Sequence, residues 1–449
     1  MCAEVMSVRA RGARPLACIR TYGCQQNVAD SEKIKGMLSE MGFDFTETVE
    51  DADFILFNTC AVREHAEDRV FGNVGALKNI KRRHPSVIIG LCGCMMEQKH
   101  VTDRLYKSFP FVSLVFGTHS LHRFPELFYN TVTYGGRVYE TGVDDMTVYE
   151  GIPTRRDGTF KGWLPIMYGC NNFCTYCIVP YTRGRERSRK FEEVVDEARA
   201  MIEAGYKEIT LLGQNVNSYG KNLEPRRTFA ELLSAIDSIE GDYILRFMTS
   251  HPKDCSKELI DVIASGSHIS THLHLPFQSG SDRVLKAMNR SYDREKYLGI
   301  VRYAREKIPD VSLTSDVIVG FPGETYDEFL ETVSLVREVG FTSLFTFIYS
   351  PREGTPAAKM DDPYTHEEKS RRFSELLKAQ EEISASRCAA MVGSEYRVLV
   401  EEETKPGVLS GRTSGNVIVE FPGGSELIGQ FANVRVTKAR NWILNGELA

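Results

Sequence analysis

The chain has 449 residues, of which 42% are hydrophobic and 26% are charged, and its formal net charge is −6. This length allows roughly two to four domains, and no run approaches the roughly 18 apolar residues that a membrane helix needs. The acidic balance argues against a general nucleic-acid binder, so any such contact is expected to be local. Residues 1–15 carry arginines but no apolar stretch typical of a secretion signal. We therefore expect a flexible N-terminus and a cytoplasmic location.

The first segment, residues 16–150, alternates short apolar runs with helical patterns. The predicted strands are 16–21, 54–57, 87–91 and 111–116. One helix is predicted to start at Asp30 or Ser31, either of which can be the N-cap, and to stop near Gly42. A second helix is predicted over residues 63–83. This alternation predicts a doubly wound parallel sheet and an α/β fold.

The second segment, residues 156–390, repeats the alternation of strand and helix. The predicted strands are 164–168, 208–212, 243–248, 271–275, 312–319 and 343–348. Six βα units predict a partial (β/α)6 barrel, and chemistry is then expected where the strands end. A charged helix over residues 365–390 closes this segment.

The last segment, residues 391–449, has β-type alternation between glycine-rich turns, which predicts a small five-stranded barrel of the OB kind. From Val392 onward it carries six Lys or Arg and seven Asp or Glu residues, a net charge of −1. Binding of RNA would therefore depend on one basic face and on stacking side chains. The candidate basic residues are Arg412, Arg435, Lys438 and Arg440, and the candidate stacking residues are Phe431 and Trp442.

Three cysteines lie within eight residues in the motif Cys170-x-x-x-Cys174-x-x-Cys177. Three thiolates can hold an iron–sulfur cube by three irons, which leaves the fourth iron available to a small molecule. A structural zinc site normally has four protein ligands and an electron-carrying cube normally has four cysteines, so the incomplete set favours catalysis. The alternative is a zinc knuckle completed by a distant histidine. The histidines available for that role are His251, His272 and His274.

Three further cysteines, Cys24, Cys60 and Cys94, are far apart in sequence, yet each follows the carboxyl end of a predicted strand. Such ends line one crevice of an open parallel sheet, so the thiols are predicted to hold a second cube, again with one ligand missing. Buried cysteines are also common as inert core residues, but three in equivalent positions favour the ligand interpretation. Strand alternation places Cys92 on the same side as Cys94, so periodicity does not choose between them.

Beyond the spacing, the residues around both cysteine sets resemble a known family, the radical S-adenosylmethionine (SAM) superfamily and its methylthiotransferase branch. The stretches that carry this resemblance are Tyr168-Gly-Cys-Asn-Asn-Phe-Cys-Thr-Tyr-Cys177, Thr21-Tyr-Gly-Cys24-Gln, Asn58-Thr-Cys60-Ala-Val-Arg63 and Gly93-Cys94-Met95. Those that resemble its MiaB-type tRNA members are Thr249-Ser-His-Pro252, His274-Leu-Pro-Phe-Gln-Ser-Gly280, Thr314-Ser-Asp-Val-Ile-Val-Gly-Phe-Pro-Gly-Glu324 and Tyr349-Ser-Pro-Arg-Glu-Gly-Thr-Pro356. The last segment resembles the TRAM domain through Gly411-Arg412-Thr413 and Gly429-Gln430.

The resemblance implies a specific reaction, the conversion of N6-isopentenyladenosine at position 37 of tRNA to its 2-methylthio derivative. It implies that Cys170, Cys174 and Cys177 hold a [4Fe-4S] cluster whose open iron binds SAM and whose electron yields a 5′-deoxyadenosyl radical. It also implies that a second [4Fe-4S] cluster delivers the methylthio group, with a second SAM as methyl donor. The ligands of this second cluster would be Cys24, Cys60 and Cys94. We further expect a monomer, with tRNA and a low-potential electron donor such as flavodoxin or ferredoxin as partners; the sulfur donor stays open.

Polar residues at the predicted ends of the barrel strands are candidate contacts to SAM or substrate. These residues are Gln214, Asn215, Ser250, Gln278 and Asp316. The run 181–190 carries five positive charges against one negative, and arginine forks suit phosphates. We therefore expect this run, with Arg185 as a cofactor contact, to touch RNA or SAM.

Two other functions are compatible with the sequence. The same chemistry on threonylcarbamoyladenosine in tRNA, or on an aspartate of a ribosomal protein, is the nearer one, although residues 349–356 favour the isopentenyl type. A zinc-dependent RNA-binding module without catalysis belongs to a different class.

Overall fold

The computed structural model describes residues 2–7, 10, 12, 14–62, 66–142 and 147–449, which fall into two compact units. The first unit comprises Met1–Gly158, Met167–Asn171 and Cys177–Arg189, and the second comprises Thr159–Ile166, Asn172–Tyr176 and Lys190–Ala449. The division between the units therefore runs through the motif at residues 170–177. None of the helices in these described ranges is both long and apolar enough to cross a lipid bilayer.

A six-stranded parallel sheet forms the centre of the first unit, with strand order β2-β1-β3-β4-β5-β6. Its strands are β1 (Leu16–Thr21), β2 (Asp44–Phe45), β3 (Phe54–Thr59), β4 (Ile88–Gly93), β5 (Leu114–Phe116) and β6 (Val138–Glu140). Every residue of β3 and β4 is buried, because an apolar core lies on each face of the sheet. The predicted doubly wound sheet is confirmed. The prediction missed β2 and β6, which are too short to give a periodic pattern.

The helices of this unit flank the sheet. They are α1 (Cys2–Ser7), α2 (Gln25–Glu40), α3 (Ala66–Arg83), α4 (Lys99–Ser108) and α5 (Phe124–Tyr134). The predicted start of α2 was wrong, because Cys24 is its N-cap and both Asp30 and Ser31 are buried inside the helix. Their side chains bond to tertiary partners instead, Asp30 to Arg183 and Ser31 to Asn58. Of the predicted helix 63–83, residues 63–65 lie outside the described residues and the remainder is α3.

The second unit contains the predicted barrel strands. They are β7 (Lys161–Pro165), β10 (Glu208–Leu212), β11 (Ile244–Phe247), β12 (His272–His274), β13 (Ser312–Val319) and β14 (Ser343–Ile348). They form two parallel sheets, β11-β10-β7 and β12-β13-β14, and a parallel bridge joins Leu245 of β11 to Ile269, three residues before β12. The partial (β/α)6 barrel is therefore confirmed. The intervening helices are α7 (Phe191–Glu203), α8 (Phe229–Asp237), α9 (Lys257–Ser265), α10 (Asp282–Ala287), α11 (Arg294–Lys307), α12 (Tyr326–Val339) and α13 (His366–Ala389).

The predicted strand 164–168 is not continuous. Its parallel part, β7, ends at Pro165, and Met167–Tyr168 (β8) pairs antiparallel with Arg187–Ser188 (β9). A short helix, α6 (Val179–Thr182), lies between β8 and β9. The cysteine motif and α6 thus lie in the chain between the two strands of this antiparallel pair.

The C-terminal part of the second unit is a closed five-stranded barrel, as predicted, with strand order β15-β16-β17-β19-β18. Its strands are β15 (Glu395–Lys405), β16 (Val408–Thr413), β17 (Ile418–Pro422), β18 (Phe431–Arg440) and β19 (Ile443–Leu448). Arg246 on β11 fixes this barrel to the neighbouring sheet, because its guanidinium donates to the carbonyl oxygens of Thr413 at 2.8 Å and Ser414 at 2.9 Å.

Candidate active site

The edge of the first-unit sheet where the strands end carries three cysteines. Strands β1, β3 and β4 are neighbours, and Cys24, Cys60 and Cys94 follow their carboxyl ends. All three are free thiols; Cys60 and Cys94 are buried and Cys24 is half-buried. The sheet therefore places the three sulfurs at one edge.

Two glycines let these strand ends approach one another. A Cβ atom on Gly23 would lie 3.0 Å from Cβ of Cys60, and one on Gly93 would collide with Asn58 Oδ1 and Thr59 O. Gly93 also has φ of +97° and ψ of −169°, a conformation that is essentially restricted to glycine. The sheet edge that carries Cys24, Cys60 and Cys94, called the cysteine edge below, thus includes two backbone positions that exclude a side chain.

Cys94, rather than Cys92, faces this edge. Cys92 is buried in the apolar core between the sheet and helices α2 and α5, whereas Cys94 packs with Ala61 and Ile178. Burial raises the pKa of Cys94 to about 12, so a metal that binds there must displace a proton. Strand periodicity did not choose between Cys92 and Cys94, and the structure shows that Cys94 is the one that faces the edge.

A buried arginine contacts Cys94 directly. Nε of Arg183 donates to Sγ of Cys94 at 3.0 Å, and Nη2 donates to Oδ2 of Asp30 at 2.9 Å. Burial opposes the charge of this guanidinium, but the charges of Cys94 and Asp30 outweigh burial and raise the pKa of Arg183. Sequence reasoning placed Arg183 in a basic run without assigning it this role.

The first unit fits an iron–sulfur cluster by the chemistry of its donors. Soft thiolates select iron–sulfur clusters and zinc, and an apolar surround with an N–H donor to sulfur is a usual environment of such a cluster. Within the described ranges, no three His, Cys, Asp or Glu side chains are arranged to hold a single metal ion. That finding concerns one ion, whereas in a cube each cysteine binds a different iron.

The cysteines of the motif are divided between the units: Cys170 and Cys177 belong to the first and Cys174 to the second. In the first unit, the amide of Cys170 donates to Gly184 O at 3.0 Å. In the second unit, Nη1 of Arg290 donates to Sγ of Cys174 at 3.3 Å, and the amide of Thr175 donates to Met288 O at 3.0 Å. Each part of the motif is therefore fixed by bonds within its own unit.

The strand ends of the second unit carry buried polar atoms that have no hydrogen-bond partner among the described residues. These atoms are Asn215 Oδ1, Asn217 Oδ1, Ser250 Oγ, His251 Nε2, Gln278 Oε1 and Tyr349 Oη. A buried polar group left unpaired costs about 1–3 kcal/mol, so this set is typical of a site that a polar ligand completes. Burial lowers the pKa of His251 to about 2, which keeps its imidazole neutral.

Sequence reasoning named Asn215, Ser250 and Gln278 in this set. It did not name Asn217 or Tyr349 as contacts, and it named His251 only as a possible zinc ligand. Each of these lies within two residues of a named candidate or directly follows a strand, so extending the strand-end rule by two residues would have found them.

The other sequence candidates are placed less decisively. Gln214 is half-buried, and Asp316 Oδ1 lies 3.5 Å from Nε2 of His274. Arg185 is exposed and belongs to the first unit.

The expectation that the whole basic run contacts RNA or SAM was wrong for Arg183, Arg187 and Arg189. These side chains are buried and bond to protein groups, Asp30, His119 and Glu150 respectively. Their charges are therefore used inside the first unit.

The candidate RNA-contacting residues of the C-terminal barrel lie in different surroundings. Lys438, Arg440 and Trp442 are exposed. Arg412 is instead half-buried and lies 3.4 Å from Glu401, Arg435 is paired with Glu395, and the guanidinium of Arg397 covers the Phe431 ring at 3.6 Å. Glu401 thus lies beside Arg412, one of the candidate basic residues.

Comparison with known families identifies three segments. The Radical SAM superfamily matches residues 164–336, the uncharacterized protein family UPF0004 matches residues 17–117, and the TRAM domain matches residues 389–449. Among solved structures, the radical S-adenosylmethionine methyltransferase TsrM from Kitasatospora setae has a TM-score of 0.57 at 13% identity, over 77% of this chain and 75% of that one. This second likeness concerns the fold alone.

Similarity to curated relatives extends over nearly the whole chain. The tRNA-2-methylthio-N(6)-dimethylallyladenosine synthase of Thermoanaerobacter pseudethanolicus is 50% identical over 432 residues, which are 96% of this chain and 92% of the relative. The protein of the same name from Alkaliphilus oremlandii is 49% identical over 447 residues, 99% of this chain and 95% of the relative. The chain therefore belongs to the tRNA-2-methylthio-N(6)-dimethylallyladenosine synthase family of radical SAM enzymes.

Proposed function

We propose that the protein is a transferase that converts N6-isopentenyladenosine at position 37 of tRNA to its 2-methylthio derivative. The observation that supports this most directly is the presence of two three-cysteine sets in one member of the family. One set consists of the three thiols at the ends of β1, β3 and β4, and the other consists of the three within residues 170–177. Each set would leave one iron of a cube without a protein ligand.

The cysteines are the proposed metal ligands and catalytic residues. Cys170, Cys174 and Cys177 would hold one [4Fe-4S] cluster and Cys24, Cys60 and Cys94 a second. When bound, the clusters and SAM supply a low-potential electron, a carbon radical and the sulfur to be transferred. The chain's own part is to hold these groups and to exclude water and stray hydrogen donors from them.

Binding of SAM is proposed for the strand ends of the second unit. Unpaired atoms of Asn215, Ser250 and Gln278 offer an amide oxygen, a hydroxyl and a second amide oxygen, which suit the amino, carboxylate and hydroxyl groups of SAM. Gln214, Asp316 and Arg185 stay proposed contacts. His251 is neutral in its buried position, so it can bond to a ligand without adding charge.

Contact with the RNA is proposed for the C-terminal barrel. Trp442 is 56% exposed and stands in the turn between β18 and β19, close in sequence to Lys438 and Arg440. An exposed ring beside two cations suits a base and its phosphates. We propose tRNA and a flavodoxin- or ferredoxin-type reductant as partners, a monomeric state, a cytoplasmic location, and domains at 16–150, 156–390 and 391–449.

Nucleoside analysis of tRNA from a strain that lacks this gene tests the substrate. We expect the 2-methylthio derivative of isopentenyladenosine to disappear and to return when the chain is supplied again. Loss of only the 2-methylthio derivative of threonylcarbamoyladenosine would instead assign the other tRNA substrate. Anaerobic purification tests the chemistry. About eight irons per chain are expected for two [4Fe-4S] clusters, whereas a colourless protein with about one zinc would contradict the proposal.

A further inference from the structure

Each cysteine set contains one sulfur that accepts a hydrogen bond from a buried arginine. In the first unit, Arg183 Nε lies 3.0 Å from Cys94 Sγ, and in the second unit, Arg290 Nη1 lies 3.3 Å from Cys174 Sγ. Only 4% of Arg183 and 9% of Arg290 are exposed. The same contact, a hydrogen bond from a buried arginine to a cysteine sulfur, thus occurs in both sets and involves different parts of the chain.

The other two nitrogens of Arg290, and Nη2 of Arg183, are held by other groups. Arg290 donates through Nε to Tyr292 Oη at 2.9 Å and through Nη2 to Pro276 O at 2.8 Å. Because the guanidinium is planar and rigid, these contacts fix the direction in which Nη1–H points. Arg183 is fixed in the same way by Asp30, which also accepts from Gln26 Nε2 at 3.1 Å.

The two arginines differ in how their charge is balanced. Arg183 forms an ion pair with Asp30 at 2.9 Å, whereas no carboxylate of the described chain forms an ion pair with Arg290. A buried charge without a counter-charge is costly. An iron–sulfur cluster ligated by thiolates is an anion, so a cluster at Cys174 would supply the missing negative charge.

We propose that Arg183 and Arg290 are positioning residues that set the reduction potentials of the two clusters. Both donate to a ligand sulfur, and hydrogen bonds to sulfur together with nearby positive charge favour the more negative, reduced form. Arg290 adds an unbalanced positive charge, so its effect exceeds that of Arg183, whose charge Asp30 offsets. The inference rests on the proposed function only for the presence of the clusters.

Redox titration followed by electron paramagnetic resonance tests this in proteins with one cluster each. Replacing Cys24, Cys60 and Cys94 by Ala leaves the cluster at the motif, and replacing the motif cysteines leaves the other. In the first background, Arg290→Gln should make the potential more negative by at least a tenfold change in the reduction equilibrium, which is about 59 mV for one electron. In the second background, Arg183→Gln should shift the potential in the same direction by less. Asp30→Asn should shift it the opposite way, because it leaves Arg183 unbalanced.

Control variants test whether the loss of any positive charge from the same unit moves a potential. Arg294→Gln in the second unit and Arg123→Gln in the first remove arginines that pair with Glu338 at 2.8 Å and Glu126 at 3.0 Å and contact no cysteine, so neither should move a potential. Arg290→Lys keeps the charge and should fall between the parent and Arg290→Gln. If Arg290→Gln loses its iron while Arg290→Lys keeps it, the charge is again the cause.

The inference would be overturned if Arg290→Gln and Arg183→Gln at full iron content left the potentials unchanged. It would also be overturned if both Arg290 variants lost iron equally. These readouts need neither SAM nor tRNA. If the two parent proteins bind no iron at all, the proposed function fails instead, so the two failures are distinguishable.

Discussion

The two cysteine sets depend on different levels of the structure. Cys170, Cys174 and Cys177 lie within eight residues, so their spacing is a property of the local sequence. Cys24, Cys60 and Cys94 are dozens of residues apart and meet only because β1, β3 and β4 are adjacent in one sheet. One proposed cluster therefore depends on a single stretch of chain, and the other depends on the fold of the whole first unit.

Single cysteine variants should separate the roles of the two sets with the largest effect. Cys174→Ala should abolish SAM cleavage, because the motif cluster is the proposed source of the electron. Cys60→Ala should still cleave SAM to 5′-deoxyadenosine but form no methylthiolated nucleoside. Chromatography of 5′-deoxyadenosine and of RNA nucleosides measures both, with Cys255→Ala as a buried-thiol control. Normal methylthiolation by Cys60→Ala would refute the role given to the first-unit set.

A loss of stability in the second unit should leave the irons at the motif in place. Arg246 donates to Glu208 at 2.7 Å and to two carbonyl oxygens of the C-terminal barrel. Arg246→Ala leaves the buried Glu208 with a weaker partner, and breaking such a pair costs about 3–5 kcal/mol. Anaerobic denaturant titration should detect this loss while the iron content of the folded protein stays near eight.

An exposed pair in the same unit provides the control for that experiment. Lys207 lies 3.2 Å from Asp242, and both side chains are partly exposed, so Lys207→Ala should cost about 0–1 kcal/mol. Loss of about four irons in Arg246→Ala at full folding would show that the motif also depends on the long-range structure of the second unit.

In the first unit, a single substitution should remove irons although the protein stays folded. Gly93→Ala places a Cβ against Asn58 Oδ1 and Thr59 O in a glycine-only conformation, at a cost of about 1–3 kcal/mol for the backbone strain and more for the collision. Because Cys94 follows directly, we expect a folded protein with about four irons instead of eight. Gly135→Ala is the matched control, since Gly135 has φ of 68° and ψ of −169° but open space around it. Equal iron loss in both variants would attribute the effect to backbone strain alone.

Much of the fold could be predicted because its signals are local. The apolar runs of β3, β4 and β13 are long enough to mark strands, and the ends of parallel strands share an edge by geometry. That rule placed Cys24, Cys60 and Cys94 correctly at one edge, although none is near another in sequence. The alternation of strand and helix likewise predicted the barrel of the second unit.

The features that could not be predicted depend on tertiary contacts. Asp30 and Ser31 are residue types that commonly cap helices, yet both lie inside α2, because their side chains bond to Arg183 and Asn58. The sequence places Arg183 in a run predicted to touch RNA or SAM, because its actual partners, Asp30 and Cys94, are 153 and 89 residues away. No pattern of period 2 or 3.6 carries that information.

A buried amide network at the cysteine edge gives the smallest expected effect. Asn58 Nδ2 donates to Asn27 O at 2.8 Å and to Ser31 Oγ at 3.0 Å, and Asn27 Oδ1 accepts from Cys24 Sγ at 3.4 Å. The network thus ties the first turn of α2, which Cys24 caps, to the end of β3, which precedes Cys60.

Asn58→Ala should cost about 1–3 kcal/mol, because it removes these bonds and leaves buried groups unpaired. Since the network joins two of the three strand ends, a chelator should remove iron from the first-unit set faster than in the parent protein, while the irons at the motif leave at an unchanged rate. Gln380→Ala is the comparison, because Gln380 is a buried amide of the second unit with bonds of 3.0 Å to Phe341 O and 2.8 Å to Ser384 Oγ. It should cost a similar amount of stability without changing either rate. If Gln380→Ala accelerated iron loss as much as Asn58→Ala, the first-unit set would respond to stability in general rather than to the alignment of its strand ends.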